Sequence, residues 1–147
     1  MFYTRPHSTA TWGTQAKDWE AGVDYRKLVT DRTERARQAI IDAGLAAVIC
    51  FNFDNIRYIT ATHIGEWGRD KFDRYCLLGQ EGSPFLWDPA APAKRKSSPW
   101  MGNNVDAPVS TMQGALPPIL GIEKVFAKQI KEKLVDMGIA NEPIGID

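Results

Sequence analysis

Histidine and cysteine are scarce in this sequence, with two of each. Two cysteines cannot cross-link a disulfide-rich secreted scaffold. The histidines, His7 and His63, lie far apart, and no HExxH or similar metal-ligand spacing is present. Charge of one sign is missing too: 18 Lys and Arg face 18 Asp and Glu, a formal net charge of zero. Electrostatic binding of nucleic acid or of an anionic membrane needs a basic excess, so neither is an expected partner. No long apolar run occurs. The longest, Leu45-Ala46-Ala47-Val48-Ile49-Cys50-Phe51, has the length of a buried strand, far below the roughly 20 residues that span a bilayer. The first residues, MFYTRPHSTATWGTQ, lack the basic n-region and continuous apolar stretch of a secretory signal. A cytoplasmic location is therefore expected, with Cys50 and Cys76 as reduced thiols. Each cysteine sits in a strand-like apolar run and is expected to pack as a small hydrophobe. No GxSxG elbow, Walker loop or GxGxxG fingerprint appears. Spacing alone leaves a binuclear site built from carboxylates open, but each acidic residue has an ordinary helix-surface or turn explanation.

What is present describes a globular α/β domain. A chain of 147 residues, 44% hydrophobic and 24% charged, fits one domain able to bury about two-thirds of its unfolded surface. Residues 1–22 form an N-terminal arm with Phe2, Tyr3, Trp12 and Trp19. That is too aromatic for a disordered tail, so the arm is expected to lie across a surface, its own or a partner's. Residues 23–147 form the domain. Tyr25, Leu28, Ala36, Ala39, Ile40 and Ala43 recur at helical spacing and predict a helix over 24–43, with Asp24 as N-cap and Gly44 as stop. The run 46–51 predicts a buried strand, and 52–55 a turn. Residues 56–60 read as a helical turn or strand. Tyr75-Cys76-Leu77-Leu78 and Pro84-Phe85-Leu86-Trp87-Asp88, joined by Gln80-Glu81-Gly82-Ser83, predict a hairpin. Residues 89–104 look irregular, with Lys94-Arg95-Lys96 on a solvated loop. The span 105–112 predicts an edge strand because of Pro108, 122–137 an amphipathic helix stopped by Gly138, and 143–147 the start of a strand. Strands and helices in this order predict a mixed sheet flanked by helices.

One stretch concentrates functional side chains. The aperiodic loop 61–74 gathers His63, Glu66, Trp67, Arg69, Asp70, Lys71, Asp73 and Arg74. Loops on rigid scaffolds carry binding groups, and Trp and Arg are enriched at interface hot spots. A solvated connection with one packed Trp is the alternative reading.

The helix DYRKLVTDRTERARQAIIDAGLAAVICFN, the segment DNIRYITA and the hairpin DRYCLLGQEGSPFLWD together resemble the N-terminal domain of the creatinase, prolidase and aminopeptidase P family. Asn55, Ile56, Arg57, Tyr58, Ile59 and Thr60 match an NIRYLTG-like segment, with Ala61 where Gly is common. Residues 74–88 match the hairpin, and Ile144-Gly145-Ile146-Asp147 is similar to the strand that leads into an interdomain linker. The similarity covers 24–147 and is strongest at 46–60 and 73–88. The start of the hairpin and the long arm look most similar to the branch containing dimethylsulfoniopropionate lyase.

The resemblance implies a ribonuclease-H-like domain with a mixed sheet of five or six strands. It implies that catalysis belongs to a second, C-terminal "pita-bread" domain, where two Asp, one His and two Glu bind a pair of divalent metals and activate water. The chain stops at Asp147, before such a domain would begin. It is thus expected to be the non-catalytic N-terminal domain of a metal-dependent peptidase-like hydrolase of the Xaa-Pro peptidase or creatinase type, with no cofactor of its own. Its implied partners are its own C-terminal domain and a second subunit of a homodimer, whose active site it narrows. On that reading His63, Trp67, Arg69 and Arg74 become candidates for contact with substrate or with the partner subunit. Trp67 would supply an apolar or cation-facing wall, and Arg69 or Arg74 would hold a carboxylate. The alternatives are the same domain in a lyase-like enzyme acting on a small zwitterion, and a stand-alone binding module.

Overall fold

The computed structural model describes residues 24–62, 74–109 and 121–147. The arm 1–22 lies outside the described residues. Elements run in the order α1 (Tyr25–Asp42), β1 (Ala47–Cys50), α2 (Phe53–Thr60), β2 (Tyr75–Gly79), β3 (Phe85–Trp87), α3 (Ala91–Ser97), β4 (Val105–Asp106), α4 (Ile122–Asp136) and β5 (Ile144–Ile146), with a 3-10 turn at Pro99–Met101. The strands form one sheet in the order β4-β3-β2-β1-β5. The β1/β2 and β2/β3 pairs are antiparallel, and the β1/β5 and β3/β4 pairs are parallel. The protein is thus an α/β domain with a five-stranded mixed sheet flanked by helices. No helix among the described residues is long and apolar enough to cross a membrane.

Side-chain alternation divides the sheet's two faces. Cys50, Cys76, Leu78 and Leu86 point to one side, where they pack with Ile40 of α1, Ile56 and Ile59 of α2, Ala91 of α3 and Met101. Ala47, Ile49, Tyr75, Leu77 and Trp87 point to the other, against Ile130 and Leu134 of α4. Leu78 and Leu86 are sealed from water, and burying side chains of that size contributes about 1.5–3 kcal/mol each. On the α4 side, Tyr75 stacks on Trp87 with ring centroids 4.8 Å apart and meets Phe126 edge-on at 4.9 Å. Such pairs add about 0.5–1.5 kcal/mol beyond the burial itself.

The predicted strand at 46–51 is interior and buried, flanked by β2 and β5. The predicted helices at 24–43 and 122–137 are α1 and α4, and both stop in the same way. Gly44 at φ +67° and Gly138 at φ +73° adopt the left-handed conformation that glycine allows. Leu45 N–H then bonds Ile40 O at 3.0 Å, and Ile139 N–H bonds Leu134 O at 2.9 Å. These bonds close the last turn of each helix.

Three expectations are corrected. The predicted turn at 52–55 is instead the start of α2. Asn52 is its N-cap and accepts a bond from Asp54 N–H at 2.8 Å, so the same local side-chain bonding that favours a turn begins a helix here. The irregular run 89–104 contains α3. Its Pro92 sits in the first helical turn, where a missing N–H costs nothing. Lys94 is not a solvated loop residue; it lies on α3 and is only 9% exposed. The predicted edge strand 105–112 pairs only over Val105–Asp106. Residues 110–112 lie outside the described residues.

Candidate functional site

The carboxyl ends of β1, β3, β4 and β5 and the amino end of β2 share one end of the sheet. In open α/β sheets the carboxyl ends of strands are where ligand-handling groups gather. Polar and charged residues gather at this end: Asn52, Arg74, Asp88, Asp106 and Asp147.

The centre of the cluster is an ion pair. The β2/β3 ladder pairs Tyr75 with Trp87, and one step further along the same register Arg74 faces Asp88. The Arg74 Nε–H donates to Asp88 Oδ2 at 2.7 Å. Arg74 is 1% exposed and Asp88 4%. Arg74 Nη2 donates to Thr62 Oγ1, and Thr62 Oγ1 shares a hydrogen bond with Thr60 Oγ1 at 2.7 Å. Thr60 in turn donates to Ile56 O at 2.7 Å. Asp88 Oδ1 accepts Ala90 N–H at 2.8 Å, just before α3. A continuous chain of hydrogen bonds therefore runs from α2, through Thr60, Thr62, Arg74 and Asp88, to α3.

Two further side chains fix the end of α2. Thr33 on α1 donates to Ile59 O at 3.2 Å, and Trp100 Nε1–H donates to Thr60 O at 2.8 Å. Helix C-termini leave carbonyls without intrahelical partners, and here neighbouring elements take them up. Ala61 follows at φ +50°, a left-handed position that a Cβ disfavours.

Burial shapes the electrostatics. It pushes the Arg74 guanidinium below its ordinary range, against the pull of Asp88. It also lowers Lys94, which Asp88 opposes and Arg74 reinforces. Among the described residues, the buried Arg74 Nη1 has no hydrogen-bond partner. Arg74 donates to Asp88 and Thr62, and these bonds tie the start of β2 to the end of β3 and to the residues that follow α2.

A second carboxylate closes the neighbouring edge. Asp147 Oδ1 accepts the Phe51 N–H at 2.6 Å, and Asp147 Oδ2 accepts the Asn55 side-chain amide at 2.7 Å. Burial alone would raise this carboxyl, but the bonds from Asn55, Phe51 and Asn52 outweigh it and hold it below the usual range. Asp147 thereby ties β5 to the junction between β1 and α2.

Of the four residues singled out in the sequence, Arg74 is placed at the base of this cluster, committed to Asp88 and Thr62. His63, Trp67 and Arg69 lie outside the described residues. Thr62 and Arg74, which precede and follow residues 63–73, are bonded to each other. Asp88, Thr62, Lys94 and Asp147 were not recognised from the sequence as members of a site. For Asp88 the signal was available: the hairpin register places it opposite Arg74. For Thr62, Lys94 and Asp147 no local signal exists, because each acts across elements distant in sequence. Among the described residues no three His, Cys, Asp or Glu side chains converge as metal ligands. No protein-family profile matches this chain, and no curated protein matches it.

Proposed function

We propose that this chain is the non-catalytic N-terminal domain of a metal-dependent peptidase-like hydrolase, similar to the ribonuclease-H-like domain of the creatinase, prolidase and aminopeptidase P family. Its role is to hold a second subunit and to present residues 63–73 to the active site of that neighbour. The reading is supported by the sequence resemblance over 24–147 and by a five-stranded mixed sheet with helices on both faces. The observation that carries it is the buried Thr62–Arg74–Asp88 chain. It fixes both ends of the stretch that holds His63, Trp67 and Arg69. A rigid base under a stretch rich in binding side chains is what substrate selection by a non-catalytic domain requires.

The test uses the complete open reading frame. Residues downstream of Asp147 should supply two Asp, one His and two Glu. The full protein, loaded with manganese, should hydrolyse Xaa-Pro dipeptides. Trp67→Ala and Arg69→Ala should raise KM without altering thermal stability. A reading frame with no such ligand set, or a full protein inert towards these dipeptides, overturns the proposal. Cleavage of a sulfonium zwitterion in place of peptides would move the chain to the lyase branch.

A further inference from the structure

Cys50 and Cys76 are direct partners in the antiparallel β1/β2 ladder. Both point to the same face of the sheet and share one core cluster. Gln80 N–H donates to Ala46 O at 3.3 Å, so hydrogen-bonded pairs fall at every second position, and Cys50–Cys76 is one of them. Such pairs hold their Cα atoms about 5.5 Å apart, inside the range of about 4.4–6.8 Å that a disulfide tolerates. Their Cβ atoms, however, stand wider than the about 3.5–4.5 Å of a relaxed bridge, so closing the bond draws the two strands together and leaves it readily reduced. The two thiols interact, and that interaction together with burial pushes the Cys76 thiol up. Cys50 immediately precedes the junction to α2, and Cys76 follows Arg74. The pair therefore brackets α2, Thr62 and Arg74.

We propose that Cys50 and Cys76 form a dithiol/disulfide couple that locks the base of the candidate site when a low-molecular-weight disulfide oxidises it. The exchange balances with glutathione disulfide as the oxidant. A Cys50 thiolate, its proton released to solvent, attacks one glutathione sulfur, and glutathione thiolate leaves. The Cys76 sulfur, deprotonated in turn, then attacks the Cys50 sulfur of the mixed disulfide, and a second glutathione thiolate leaves. Two protein thiols are oxidised and one glutathione disulfide is reduced to two thiols. Cys50 is the first nucleophile because it retains slight exposure at 3%, whereas Cys76 has none. Both are buried, so exchange proceeds through local opening of the ladder end. The couple is independent of the proposed catalytic partner domain, since it depends only on β1 and β2.

The test is incubation of the folded protein with glutathione disulfide, acid quenching, thiol blocking and peptide mass spectrometry. The expected product is an intramolecular Cys50–Cys76 disulfide, with a higher urea midpoint than the reduced protein and recovery of both thiols by dithiothreitol. Cys76→Ser should stop at the mixed disulfide on Cys50, and Cys50→Ser should react more slowly than either. A parallel incubation in urea below the unfolding transition speeds opening and removes slow access as an explanation. Two unreacted thiols under both conditions overturn the proposal. So does a product that is doubly glutathionylated or linked between chains.

Discussion

Arg74 and Asp88 form an ion pair at 2.7 Å, in which both side chains are nearly sealed from water. Asp88→Ala would leave an uncompensated buried guanidinium, and breaking such a pair from one side costs about 3–5 kcal/mol. Urea unfolding should show that loss. The double variant Arg74→Met, Asp88→Leu should recover most of it, because replacing both partners with apolar groups of similar volume is often near neutral. A double variant as unstable as Asp88→Ala would show that the wider chain through Thr62 and Ala90, and not the charge pair, dominates.

Ala61 holds a left-handed backbone at the end of α2. A non-glycine residue there costs about 1–2 kcal/mol, and glycine returns about 0.4–1 kcal/mol through the unfolded chain's greater freedom. Ala61→Gly should therefore stabilise the protein by about 0.5–1 kcal/mol, seen as a higher thermal midpoint. A fall in the midpoint would mean that the Ala61 methyl makes contacts worth more than the strain.

Asp147 carries a carboxyl held below its usual range. The folded state thus prefers the ionised form more strongly than the unfolded state does. The resulting stability is present above the unfolded value of about 3.9 and is lost as pH falls through the lower folded value. Asp147→Asn should flatten the stability profile below about pH 4 and cost about 1 kcal/mol at neutral pH. Chemical denaturation from pH 2 to pH 7 measures both. An unchanged acid limb would assign the acid sensitivity to other carboxylates.

Trp100 donates its indole N–H to Thr60 O at 2.8 Å across the loop between α3 and β4. Trp100→Phe keeps an aromatic ring, smaller than the indole, but leaves that carbonyl without its donor, at a cost of about 1 kcal/mol for the lost bond. The midpoint of urea unfolding followed by circular dichroism should move accordingly. A wild-type midpoint would show that the carbonyl finds water instead.

On the proposed reading the metals belong to a separate domain, so titration calorimetry of the chain with manganese or zinc should show no stoichiometric micromolar binding. Tight binding would break the assignment of the metals to a separate domain.

Periodicity and stop signals made α1 and α4 legible in the sequence, because an amphipathic stripe ending in a glycine has few competing structures. The hairpin was legible through its turn residues. α3 was not, because Pro92 and Lys94-Arg95-Lys96 read as an irregular, solvated loop when considered locally. The helix exists because its neighbours define it. Asp88 accepts the Ala90 N–H before it, and Arg95 donates to Val105 O at 2.7 Å. Lys94 shows the same limit, since a charged side chain is assigned to solvent unless the three-dimensional partners that bury it are known. The ion pair at the heart of the candidate site could have been found one step beyond the hairpin register. The clamp made by Asp147 could not, since it joins residues that only the parallel β1/β5 pairing brings together.

That pairing also sets the order of events during synthesis. β1 lies between β2 and β5, and its parallel partner is residues 144–146. While the nascent chain grows, one edge of the future interior strand has nothing to bond with until those residues have cleared the ribosome. Ala47 and Ile144 meet only after a long loop has closed, and closing it is entropically slow. An incomplete nascent domain would expose the flank of β1 as an unprotected sheet edge, the kind of surface on which chains aggregate. Ribosome-bound chains truncated before residue 144 should therefore recruit chaperones that release once β5 has emerged.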